Sequence, residues 1–127
     1  MGELYEFRDY HYVGDFDAYK EWWKEGLVVL GAHMDIQGVW FDSGIPARIA
    51  GADPMPLPYG SANVTWVIRW DDLVQRDATW EALQEDDKWI ACAERHPGFE
   101  GYQHMSVRFL ERSSAHADAD IGEAAPA

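Results

Sequence analysis

Cysteine is nearly absent: Cys92 stands alone, which excludes an internal disulfide and any cysteine-rich metal site. Basic residues are scarce too, ten Lys and Arg against 23 Asp and Glu, for a net charge of −13. No Lys/Arg cluster stands out, so the electrostatic footprint needed by nucleic acid or an anionic membrane is missing. The longest apolar run falls far short of a membrane span. The first residues carry acid rather than base and lead straight into a strand-like run. No secretory leader is therefore expected, and the chain reads as cytoplasmic. A Gly-rich phosphate loop, a nucleophile elbow, HExxH and CxxC are all lacking.

Aromatic residues are what the chain has in excess. Seven Trp, six Tyr and five Phe occur among 127 residues, the length of one domain. So much aromatic area implies either a bulky core or surplus apolar surface lining a cavity or a subunit contact.

Residues 3–12 alternate imperfectly and are rich in Tyr and Phe, as in a strand. Asp15 then caps a helix whose apolar positions Phe16, Tyr19, Trp23, Leu27, Leu30 and Met34 recur at three- and four-residue spacing. A second strand follows over 36–42. Residues 43–62 hold four of the six prolines and form a long loop of the kind used as a lid or contact arm. A third strand covers 63–70. A helix capped by Asp71 or Asp72 runs to about Gln84, and another spans Asp86–Arg95. His96-Pro97-Gly98 stops it, and Tyr102–Glu111 is the last strand. Residues 113–127 lack any apolar period and are expected to be disordered, leaving 1–112 as the folded domain.

This β-α-β–β-α-β order predicts the ferredoxin-like α+β class: an antiparallel sheet with helices on one face. The bare face calls for a second copy, giving a homodimeric α/β barrel. Tyr5 and Phe7, Val64, Trp66 and Ile68, and Met105, Val107 and Phe109 are expected under the helices. Glu6, Arg8, Thr65, Arg69, His104, Ser106 and Arg108 are expected on the bare face.

Several residues are candidates for chemistry. Asp9 and His11, two apart on a strand, share a face, and a carboxylate beside an imidazole suits a general acid/base. They are in phase with Tyr5 and Phe7, hence expected at the helix-side cavity. His33 closes the first helix and is a second candidate for the pocket. His33-Met34-Asp35 has H-x-D spacing, but without strand geometry and a second His no metal site is expected. His96 reads first as a surface residue at a helix stop and second as a third acid/base. Trp22, Trp23, Trp40, Trp66 and Trp70 are too many for one small core, so Trp23, Trp40 and Trp66 are assigned with Tyr5 and Phe7 to substrate binding. Cys92 is read as inert packing.

Tyr5-Glu6-Phe7-Arg8-Asp9-Tyr10 resembles the Y-E-(apolar)-R-x-Y opening of NIPSNAP proteins. Trp70-Asp71-Asp72-Leu73 with Arg76 resembles that family's aromatic-x-D-L-x-x-R segment. Asp87-Lys88-Trp89 is similar to its later Trp-bearing helix, and Arg108-Phe109-Leu110 to its closing strand. The resemblance spans about residues 3–112 and implies a dimeric α+β barrel within a superfamily that includes cofactor-free monooxygenases, isomerases and haem-binding proteins. Where such proteins commonly carry a His in the third strand, this chain has Trp66. Some relatives within the wider superfamily place a His near an H-P turn in the cavity, a likeness that would bring His96 there.

Two classes of function follow. One is a cofactor-free isomerase, lyase or monooxygenase acting on an apolar or aromatic carbonyl compound by His/Asp chemistry. The other is a non-catalytic binding or scaffold module presenting the proline loop, with a haem-binding protein as a third option needing an apolar slot and one His.

Overall fold

The computed structural model describes residues 3–113; the predicted disordered tail, apart from Ser113, lies outside them. The elements follow as β1 (Leu4–Tyr12), α1 (Phe16–Gly31), β2 (Asp35–Phe41), β3 (Val64–Trp70), α2 (Leu73–Leu83), α3 (Asp87–Glu94) and β4 (Tyr102–Glu111). The sheet runs β2-β3-β1-β4, antiparallel throughout, with the helices on one face. This is the ferredoxin-like arrangement. Each helix opens on an aspartate whose carboxylate accepts an orphan backbone N–H: Asp15 from Ala18, Asp72 from Gln75 and Asp86 from Lys88.

Two phases differ from expectation. α1 buries Tyr19, Trp22, Trp23, Gly26 and Leu30. Its apolar stripe is therefore rotated one step, and Leu27 is 42% exposed. Gly26 permits this, because a Cβ there would meet the folded-back Trp22 indole at 3.0 Å.

In β1 the two faces are exchanged. Glu6, Arg8 and Tyr10 pair with Ile68, Trp66 and Val64, all on the helix side. Tyr5, Phe7, Asp9 and His11 lie on the helix-free face with Arg69, Val67 and Thr65. Aromatics occur in both phases of this strand, so only its charges could break the tie. The charges go inside because distant partners neutralise them there. Elsewhere the expected sides hold: Met105 pairs with Tyr10 and Phe109 with Glu6, whereas His104 and Arg108 pair with His11 and Phe7.

β2 carries a bulge between Ile36 and Gly38, leaving Gln37 without a partner on β3. The extra residue resets the alternation, so that Ile36, Val39 and Phe41 all meet helix-side residues of β3. Residues 42–63 have no helix or strand. The loop's base is clamped by Asn63, whose side chain bonds the Tyr12 N–H at 2.9 Å and its carbonyl at 2.7 Å. Its far end reaches the helix-free face. There the Gly60 carbonyl accepts from His11 Nε2 at 2.9 Å, and Tyr59 stacks on His104.

Candidate functional site

Between the helices and the sheet lies a cavity of about 270 Å³. α1 supplies Trp22, Trp23 and Leu30, α2 Trp80, α3 Trp89, β1 Arg8 and Tyr10, and β3 Trp66. Phe99, Tyr102 and Met105 complete the wall. The rings meet mostly edge to face, Trp23 on Trp66 at 5.0 Å and Trp66 on Trp80 at 6.2 Å. That is the preferred geometry for aromatic pairs.

Among the described residues, Arg8 is the one charged side chain in this wall. Its guanidinium lies 5.0 Å from the Trp80 ring centroid and 5.7 Å from that of Trp66, a cation–π enclosure. Its Nε donates to the Tyr10 hydroxyl and its Nη1 to Glu6, each at 2.5 Å. Glu6 is wholly buried. It also accepts Nε and Nη2 of Arg76, both at 3.1 Å, and the Trp70 indole N–H at 2.9 Å. Burial opposes its ionisation, but Arg76, Arg8 and Trp70 outweigh that and hold the carboxyl below its ordinary range. Burial likewise opposes the charge of Arg8, which Tyr10 and Glu6 more than restore.

On the other side of the cavity His96 is 8% exposed, boxed by Phe99, Tyr12, Tyr19, Trp22 and Tyr102. The Gly98 N–H donates to its Nδ1, which fixes the Nε2–H tautomer. Nε2 then donates to the Tyr102 hydroxyl at 2.9 Å, and Tyr102 donates to Tyr19 at 3.0 Å. Burial lowers the imidazole to about 4, so it is neutral near pH 7. Burial raises the Tyr102 phenol and lifts Tyr19 to about 12.

Of the residues expected at the site, Trp23 and Trp66 line the cavity and His96 stands behind Tyr102. His96 is thus a core residue and not a surface one. Asp9 and His11 do share a face, but it is the helix-free one, and each is engaged elsewhere. Asp9 accepts from Thr65 at 2.6 Å and meets Arg108, while His11 binds the loop. Tyr5 and Phe7 belong to that same face. Trp40 is also there, 54% exposed, with its indole over Gly38. His33 bonds the Asp86 carboxylate at 2.5 Å, tying the end of α1 to the start of α3. It lies outside the cavity wall. No group of three or more His, Cys, Asp or Glu suited to a metal occurs among the described residues.

Arg8, Tyr10, Trp80, Trp89 and Tyr102 were not foreseen. The signal for Arg8 was its spacing. Glu6, Arg8 and Tyr10 fall in one strand phase, and Trp70 and Arg76 bracket the next strand–helix turn.

Comparison with solved structures gives the same fold. A NIPSNAP family protein from Agrobacterium tumefaciens superposes with a TM-score of 0.68 at 15% identity, over 88% of this chain and 89% of its own. A NIPSNAP domain protein from Burkholderia xenovorans gives 0.60 at 23% identity over 87% and 95%. The chain has the NIPSNAP fold. A dimeric ferredoxin-like protein from Thermobifida fusca also matches, with a TM-score of 0.56 at 9% identity over 88% and 93%. No family model and no curated protein matches the sequence. Within the NIPSNAP fold, the motif residues Glu6, Arg8, Tyr10, Trp70 and Arg76 are the members of one buried hydrogen-bonded network. Trp89 of the later helix motif faces the same cavity. No described helix is long and apolar enough to cross a membrane.

Proposed function

We propose that this NIPSNAP-fold chain binds an apolar or aromatic carbonyl compound in the cavity under its helices and acts on it by cofactor-free isomerase, lyase or monooxygenase chemistry. The observation that carries this reading is a guanidinium held inside an aromatic wall. Such a cation among apolar rings stabilises negative charge developing on a carbonyl oxygen, the shared demand of those reactions. The aromatic rings supply the apolar area that small-molecule sites use. In this reading Tyr102, held by His96 and lining the cavity, replaces the Asp9–His11 pair as the candidate polar group for the reaction.

Haem does not fit this wall. Among the described residues no imidazole lines it, and both ring nitrogens of His96 are already engaged.

The second half of the proposal is a homodimer formed through the helix-free face. That face carries Arg69 and Arg108, and Asp9 and Asp35 accompany them. With the half-exposed Trp40 beside them, they offer a charge pattern able to pair with its own copy. The Thermobifida fusca protein of this fold is described as dimeric.

Tryptophan fluorescence tests the site directly. A panel of aromatic ketones and lactones should include compounds that quench saturably. Met105→Trp, placed in the wall at a position 44% exposed, should weaken them at least tenfold without lowering the melting temperature. Quenching that stays linear with every compound overturns the reading.

A further inference from the structure

The polar atoms around the cavity are donors in excess of acceptors, and this gives the ligand a chemical class. Each oxygen of Glu6 already accepts two hydrogen bonds: Oε2 from Arg8 and Arg76, Oε1 from Arg76 and Trp70. Glu6 is therefore saturated. The Arg8 Nε is taken by Tyr10 and its Nη1 by Glu6, whereas Nη2 has no hydrogen-bond partner among the described residues.

A second observation is independent of charge. The buried indoles of Trp22, Trp66 and Trp70 each donate to an acceptor: the Cys92 carbonyl, the Tyr10 hydroxyl and Glu6. Trp80 also lies in the cavity wall, and its Nε1 is buried without any acceptor among the described residues. Trp23 Nε1 lies toward the Tyr19 hydroxyl, whose ionisation it favours, but outside hydrogen-bonding geometry. A buried donor left unmade costs about 1–3 kcal/mol, so an unpartnered Trp80 N–H, on a ring 5.0 Å from an unsaturated guanidinium, favours a ligand that brings an acceptor.

We infer that the cavity takes an aromatic carboxylic acid, its carboxylate docked on Arg8 and the Trp80 N–H and its ring among the tryptophans. The inference rests on the site reading above and names its ligand class. A carboxylate is acceptor-only and planar, the complement of a guanidinium edge plus one indole donor. A net charge of −13 repels an anion at long range, so a preference for the carboxylate has to come from these local donors. Size agrees. A cavity of about 150 Å³ holds benzene, so 270 Å³ takes one ring with a short acid side chain, or a fused bicycle.

Three near-isosteric probes test this at pH 7: 3-phenylpropanoate, 3-phenylpropanamide and 3-phenylpropylamine, titrated by calorimetry into the full chain. The carboxylate should bind at least tenfold tighter than the amide, and the amine more weakly than either. Trp80→Phe keeps the ring and removes the N–H, and should cut the carboxylate's advantage severalfold. Arg8→Lys keeps the charge that Glu6 needs but loses the planar fork, and should cost the carboxylate tenfold while sparing the amide. If the amide matches the carboxylate, or the preference survives both substitutions, the inference is wrong. In that case binding of neutral naphthalene, lost in Met105→Trp, would leave the site reading standing. If neither acid nor arene binds, both fall.

Discussion

Glu6 shows how a single side chain couples stability to a site. It has no solvent exposure, and its partners come from β1, the end of β3 and α2. Removing one member of a buried charge network leaves the others uncompensated, at about 3–5 kcal/mol. Glu6→Gln, which retains the shape but strands Arg8 and Arg76, should therefore lower unfolding stability by about 3 kcal/mol in urea denaturation. An effect below about 1 kcal/mol would mean water already screens the pair. His96 makes a second, titratable statement. Its folded value, pushed down by burial to about 4, lies below the ordinary 6.5, so the unfolded chain binds the extra proton first. Stability from neutral His96 is complete above about pH 6.5 and is lost as pH falls toward 4, by about 3 kcal/mol at most. Between pH 7 and 5, His96→Gln should show a flatter stability profile than the parent. Parallel profiles would place the imidazole in water.

At the level of elements, much of the architecture was legible. Asp15 and the 3.6-residue spacing announced α1, the proline-rich stretch announced the loop, and His96-Pro97-Gly98 announced the stop after α3. Local signals sufficed because capping and turn chemistry are local. Of the candidate site, Trp23 and Trp66 were legible as wall residues, since large rings on helix and strand interiors go to the core. The phase of β1 was not legible. A strand with Tyr or Phe in both phases can be read either way up, and the deciding interactions, Arg76 and Trp70, lie 70 and 64 residues from Glu6. Asp9 and His11 followed that phase away from the cavity. The caps themselves are testable. Asp72→Ala removes the acceptor for the Gln75 N–H and should cost about 1 kcal/mol, read as a lower melting temperature.

For the whole molecule, the homodimer proposal predicts a light-scattering mass of twice the 14.5 kDa chain at micromolar concentration. Arg108→Glu reverses a charge on the helix-free face, where Arg108 approaches Asp9 at 3.7 Å, and should shift the population toward monomer. A parent sample that runs at the single-chain mass would remove the dimer.

β1 works as a message read in two frames. Its even positions face the helices, Arg8 and Tyr10 among them lining the cavity, and its odd positions face the open side of the sheet. Point changes can therefore revise ligand choice and assembly separately, because neighbouring letters address different audiences. An insertion or deletion of one residue within Glu6–Tyr10 would exchange the two texts at once, turning Arg8 outward and delivering Phe7 or Asp9 to the cavity. Drift in this strand should proceed by substitution at constant length. β2 has already absorbed an extra letter at Gln37 and β4 another at Gln103, and these are the strands where a change of length is tolerable.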